Sequence, residues 1–188
     1  MKLTLLFILT AILYFNSTIA ESQSIIPDIK HDIETAIKAL QPSLSDERVD
    51  SMAAAFKSVS LSNSCRISWQ TLVSIAFIES SLGLNMYNAA SHDYGLMQIN
   101  IKNIKRHNLS KDRLMRDDKY SIKFACKLLK ENKDRYASRL PYWLGLYRSG
   151  TALYREEIRQ NAMQYDKIVR DIIKKVRDTS NIRVAMED

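Results

Sequence analysis

The chain has 188 residues, 46% of them hydrophobic and 26% charged, with four Gly, three Pro and two Cys. This composition excludes a disordered tail protein, a collagen-like repeat and a disulfide-stapled mini-protein, and the length suits one domain with one sizeable core. The formal charge of +7 suits a polyanionic partner such as cell wall, anionic lipid or nucleic acid, without selecting among them.

Met1-Lys2 is a short basic start and Leu3 to Phe15 an apolar run, and Thr18 and Ala20 are small residues ahead of a cut after Ala20. That layout predicts a cleavable secretory signal over residues 1–20; the run falls short of the roughly 20 apolar residues that span a bilayer. No later stretch approaches spanning length, so no stable membrane span is expected after cleavage. Removing residues 1–20 takes one lysine and no acid and leaves +6. Scarce Gly and Pro favour helices over a turn-rich all-β design.

Residues 21–26 read as a lead-in. Pro27 to Leu40 reads as a helix with Ile29, Ile33, Ala36 and Leu40 on one side, stopped by Pro42. Ser45 can cap a second helix to about Ser58, with Val49, Met52, Ala53 and Phe56 inward. Ser68 can cap a third, Trp69 to Ser80, which is apolar nearly all round and therefore buried. Residues 81–96 form a polar loop with room for a small irregular hairpin, and Leu96 to Lys105 reads as a short helix. A helix from Asp117-Asp118 to about Asn132 puts Ile122, Phe124, Ala125, Leu128 and Leu129 on one face and Lys119, Lys123, Lys127 and Lys130 on the other. Tyr142 to Arg148 is a short helix stopped near Gly150. Tyr165, Ile168, Val169, Ile172, Ile173 and Val176 mark the last helix, with a flexible tail at 178–188. The expected organisation is thus an N-terminal helical segment over residues 21–64 and a core over 65–177.

Cys65 and Cys126 would both be exported, where a pair can oxidise. They are a candidate disulfide closing 61 residues; two separate thiols are the alternative. The three His and two Cys lack paired ligand spacing, so no metal or other cofactor is expected.

Glu79 carries the chemical argument. It sits at the C-terminal end of the buried helix, where desolvation and the negative helix end both favour a protonated carboxyl. A carboxyl kept protonated near neutral pH is what a general acid needs.

With Glu79-Ser80, Gly95-Leu96-Met97-Gln98-Ile99 and, more weakly, Tyr147-Arg148-Ser149-Gly150, the sequence resembles the lysozyme-like superfamily, closest to the lytic transglycosylase (SLT) domain. Tyr165-Asp166-Lys167-Ile168-Val169 resembles that domain's closing element. The resemblance covers about residues 65–170. It implies a mainly α, lysozyme-like α+β fold and a periplasmic enzyme acting on peptidoglycan glycan strands. Carried over residue by residue, Glu79 matches the sole catalytic acid/base, Gln98 a groove glutamine and Tyr147 a tyrosine bonding near the carboxyl. Ser91 is the candidate groove serine, Gly95 would let backbone approach the sugar, and Met97 lies in the same substrate-binding element. Arg148-Ser149 departs from the family's Asn-Ala. The small single domain also resembles the specialised transglycosylases of secretion, conjugation and pilus systems, so components of such a machine are expected partners.

Asp93 belongs to a run, Asp93-Tyr94-Gly95-Leu96-Met97-Gln98-Ile99-Asn100, that also resembles the animal lysozyme signature. A retaining hydrolase needs a second carboxyl about 5–5.5 Å from the first; Asp93 is either that group or a turn aspartate. His92 is a loop residue beside the motif. Trp69, Tyr142 and Trp143 either stack on sugar or pack the core. No phosphate loop and no nucleic-acid fold signature occurs, so no nucleic-acid partner is expected. A non-catalytic wall-binding module is the reading from a different class.

Overall fold

The computed structural model describes residues 28–150 and 155–184, with side chains through Thr179. The expected signal, the lead-in and Pro27 lie outside the described residues.

Helix α1, Ile29–Leu40, begins at Asp28, whose carboxylate accepts the Lys30 N–H at 3.0 Å. Helix α2, Asp46–Ser60, is capped by Ser45, and α3, Trp69–Ser80, by Ser68, as their sequences predict. A cap hydroxyl satisfies an N–H that has no partner within the helix. Of the expected apolar positions Ile33, Ala36, Val49, Met52, Ala53 and Phe56 are buried, Ile29 and Leu40 are half-buried and Ile37 is buried in addition, and α3 buries Leu72, Val73, Ile75 and Ala76 on several sides.

Three two-residue strands follow, β1 (Tyr87–Asn88), β2 (Asp93–Tyr94) and β3 (Ile99–Asn100). They pair antiparallel in that order, with Asp93 opposite Asn100. Then come α4 (Ile101–His107), α5 (Lys111–Arg116) and α6 (Asp118–Tyr136), a 3-10 turn (Trp143–Gly145), α7 (Leu146–Ser149) and α8 (Glu156–Val184).

Two boundaries differ from expectation. The segment expected to be helical from Leu96 is turn and strand until Asn100; its side chain accepts the Lys102 N–H at 3.0 Å and so starts α4 only at Ile101. The last helix continues through Val184, so most of the expected tail is helical; residues 178–184 contain no Gly or Pro to stop it. Residues 185–188 lie outside the described residues.

Helix α3 runs through the middle, packed by α1, α2 and α8. The first two helices contribute to the same core as α3, through Ile33, Ile37, Met52 and Phe56. Helix α6 packs on α2, and a bidentate Arg48–Asp118 ion pair, one contact at 3.0 Å, fixes its start. Cys65 and Cys126 are joined as a disulfide with Cα atoms 5.5 Å apart, tying the α2–α3 connection to α6. The 3-10 turn lies directly on α8 because Gly145 has no side chain: a Cβ there would stand 1.9 Å from the Ala162 carbonyl oxygen. This contact sets Tyr147 beside Tyr165. No helix among the described residues is long and apolar enough to cross a membrane.

Candidate active site

Helix α3 ends abruptly after Glu79-Ser80. Ser81 and Leu82 adopt left-handed φ of 52° and 56°, and their N–H groups close on Phe77 and Ala76 carbonyls at 2.9 and 3.2 Å. This Schellman-type ending satisfies the last carbonyls and turns the chain outward. Ser80 is buried; its hydroxyl lies 2.7 Å from the Leu96 carbonyl and accepts the Gly83 N–H at 3.0 Å. Ser80 thus joins the end of α3 to the Gly95–Ile99 loop. The sequence marks Ser80 as part of the Glu79-Ser80 pair but gives no sign of its partner, the Leu96 carbonyl.

Within that loop, the expected role of Gly95 is corrected. Gly95 has φ +80°, and a Cβ would meet the Leu114 carbonyl oxygen at 2.1 Å and Ser121 Oγ at 3.2 Å. The missing side chain admits α5 and α6, not a sugar. Gly95→Ala is therefore expected to destabilise by at least about 2 kcal/mol, from left-handed strain plus overpacking; a thermal melt within about 2 °C of wild type would refute this. Met97 is likewise no sugar contact through its side chain, which is fully buried. Its backbone is the useful part: the N–H donates to Ser121 Oγ at 3.2 Å and the carbonyl accepts Tyr147 Oη at 2.7 Å.

A groove of ≈ 370 Å³ opens over the end of α3, lined by Glu79, Asn88, Ser91, Asp93, Gln98, Asn100, Tyr147 and Arg148 among others. It gathers Glu79 with four of the expected substrate-binding residues, Ser91, Asp93, Gln98 and Tyr147. Gln98 sits at a left-handed φ of 47°, and its Nε2 donates to the Asn85 and Gly95 carbonyls at 3.0 and 2.9 Å. Both amide protons are used on the loop, which leaves Oε1 as the acceptor for the groove.

The hydrogen-bond partner of Glu79 is Tyr165, whose Oη donates to Oε1 at 2.6 Å. Tyr147, expected beside the carboxyl, lines the same groove but donates to Met97 instead. Tyr165 reads from sequence as one apolar step of the last helix, which hides the hydroxyl. Asp166 next to it accepts the Leu144 N–H at 3.1 Å and pairs with Arg170, which also donates to the Pro141 carbonyl at 2.8 Å. This network, with Asp166 buried and Arg170 at the surface, ties α8 to the 3-10 turn that leads into α7 and Tyr147.

Burial pushes the Glu79 carboxyl up, and the Asp93 charge adds to that; the Tyr165 hydrogen bond and the Arg148 cation oppose it, and the net direction is up. Burial, reinforced by the Glu79 charge, holds both phenols well above the usual tyrosine range. Tyr147 and Tyr165 are therefore neutral donors at any working pH.

Asp93 belongs to a wall unit. Its two oxygens accept from Ser91 Oγ and from Asn100 Nδ2, the latter at 2.7 Å, and Asn100 Nδ2 also reaches the Ser91 carbonyl at 2.9 Å. Arg148 is exposed and lines the same groove, its guanidinium carbon 5.9 Å from the Tyr165 ring centre. Removing that cation lets the Glu79 pKa rise further. Arg148→Asn is expected to move the alkaline limb of the activity profile to higher pH; an unmoved limb would show that Arg148 does not act on the carboxyl.

Trp69 and Trp143 pack against the core, Tyr142 lies in a separate shallow cavity near Arg170, and none of the three lines the groove. His92 is exposed, its Nδ1 3.3 Å from Tyr87 Oη.

No curated protein and no solved structure matches the chain. Residues 60–169 match the Transglycosylase SLT domain, a family of peptidoglycan lytic transglycosylases. The matched span runs from the end of α2 to α8. It contains Glu79, the Gly95–Ile99 loop, Tyr147 and Tyr165, and accords with the helix-rich fold and its small antiparallel sheet. With more than half of its length inside that match, the chain belongs to the transglycosylase SLT domain family.

Proposed function

We propose that the protein cleaves the β-1,4 bond between N-acetylmuramic acid and N-acetylglucosamine and forms a 1,6-anhydro end. Glu79 is the single acid/base. The observation that carries this reading is the Glu79 carboxyl, half-buried at the end of α3, held by a neutral phenol and lining an open groove. Protonated Glu79 gives its proton to the glycosidic oxygen as the C1–O bond breaks and positive charge develops at C1. The resulting carboxylate takes the proton of the C6 hydroxyl on the same muramic sugar, and O6 bonds to C1. Glu79 ends protonated, no water is consumed, and the ring closure is intramolecular, so orientation in the groove lowers the barrier.

Export through residues 1–20 into the periplasm supplies the substrate. The disulfide is in keeping with an oxidising compartment. Local wall opening for a secretion, conjugation or pilus apparatus is the cellular role that fits a small enzyme of this family.

A lysozyme-type hydrolase is the second reading, favoured by the presence of Asp93 on the same groove. Two donors, Ser91 Oγ and Asn100 Nδ2, hold the Asp93 carboxyl on the wall of that groove. Mass spectrometry of fragments released from purified peptidoglycan separates the two. Anhydro ends, one water lighter than reducing ends, support the transglycosylase; reducing ends make the protein a hydrolase and assign Asp93 to its mechanism. Release of no fragments, with wall binding retained, leaves a binding module.

A further inference from the structure

A second cavity among the described residues is larger than the groove over Glu79. A cleft of ≈ 750 Å³ lies beside the disulfide and shares no lining residue with the groove over Glu79. Helix α6 separates them: Leu128 lines the catalytic side, and Phe124 and Lys127 line the other. The floor is apolar: half-buried Leu109 faces the cleft, and Phe124 and the Cys65–Cys126 bridge lie buried beneath it. The rim is a stripe of lysines, Lys119, Lys123 and Lys127, exposed at successive turns of α6.

These lysines differ from their neighbours. Arg113 pairs with Asp117 at 3.0 Å and Lys130 with Asp134 at 2.6 Å, whereas the three stripe lysines form no salt bridge among the described residues. Two acids also border the cleft. Asp117 is occupied by Arg113, and Glu131 follows one turn past Lys127. A cationic rim at a spacing of four residues, about 6 Å along the axis, above an apolar floor fits an occupant with the opposite pattern.

We propose that this cleft docks an acid-rich amphipathic helix of a partner protein. Carboxylates one turn apart meet Lys119, Lys123 and Lys127, and the apolar stripe beside them covers Leu109. A phosphate polymer would match the charge but bury nothing on the floor. A flat lipid surface would reach the lysines and span the concavity. The site is independent of the glycan chemistry, because the partner leaves the Glu79 groove open.

The probe is a fluorescent 18-residue helical peptide, with Glu at every fourth position and Leu on the adjoining stripe. A peptide of the same composition in scrambled order, inorganic polyphosphate and phosphatidylglycerol vesicles are measured beside it. The ordered peptide is expected to bind at least about tenfold more tightly than the scrambled one, a discrimination that charge alone does not give. Lys123→Glu with Lys127→Glu removes that binding and leaves glycan cleavage unchanged, and Leu109→Asn weakens it without altering charge. Equal affinity for both peptides, or indifference to the lysine reversals, overturns the proposal. So does polyphosphate or the vesicle surface displacing the ordered peptide at equal charge concentration, since the cleft is then a phosphate or lipid site.

Discussion

Glu79→Gln is expected to lower the rate of glycan cleavage about 100- to 10,000-fold, the usual contribution of a positioned general acid. The substitution is nearly isosteric, and the amide oxygen can still accept the Tyr165 hydroxyl that now reaches Oε1 at 2.6 Å. What disappears is the transferable proton, so wall binding should survive while release of soluble fragments stops. Cleavage surviving within about threefold, far outside that range, would remove Glu79 from the mechanism. Loss of binding together with cleavage would mean that the variant had lost the groove.

The same carboxyl makes a second, opposite expectation for stability. Its pKa is raised in the folded protein, chiefly by burial. A raised carboxyl contributes stability below its unfolded pKa and loses it as pH rises through the folded value. At low pH Glu79 is neutral in wild type, and Gln at this position changes little. At higher pH wild type carries the cost of a buried charge that the variant lacks. The melting temperature of Glu79→Gln relative to wild type should therefore climb with pH, and a flat or falling difference would contradict the burial argument. Activity and stability trade against each other at this position, as is common where a site holds a destabilised group.

What the sequence made legible follows physical range. Helices α1, α2, α6 and α8 announce themselves by an apolar face at helical spacing, α3 by being apolar nearly all round, and most carry a capping side chain. Glu79 stands out because a carboxylate is anomalous at the end of an apolar helix. Helix α5 has six residues, too few to display a period, and passes as loop. The Leu96–Ile99 segment misleads in the other direction. Its apolar residues are buried without being helical, held by left-handed Gly95 and Gln98 and by the hydroxyls of Ser80 and Ser121. The Tyr165–Glu79 contact spans 86 residues, and periodicity registers the phenol ring while saying nothing of where its hydroxyl points. Met97 shows the limit of motif transfer: the motif carries the backbone geometry, and the side chain is core.

Replacing both Cys65 and Cys126 by Ala is expected to cost about 4 kcal/mol, the loop-closure entropy released to an unfolded chain in which 61 residues of separation are no longer tied. For a domain of this size that corresponds to a fall in melting temperature of roughly 8–16 °C. Both sulfurs are buried, at 2% and 1% exposure, so some packing is lost as well and the figure is a lower one. The bridge joins the entry to α3 with the middle of α6, on the face of α6 away from Glu79. Cleavage at low temperature should therefore persist in the double variant, with the loss appearing as earlier inactivation on heating. Reduction of the wild type should reproduce the shift, because the constraint on the unfolded chain is the same one removed chemically. A melting temperature that falls by less than about 3 °C in both experiments would mean that residual structure in the unfolded chain already restricts this loop. An early loss of cleavage at low temperature would mean that the position of α6 governs the groove as well as the core.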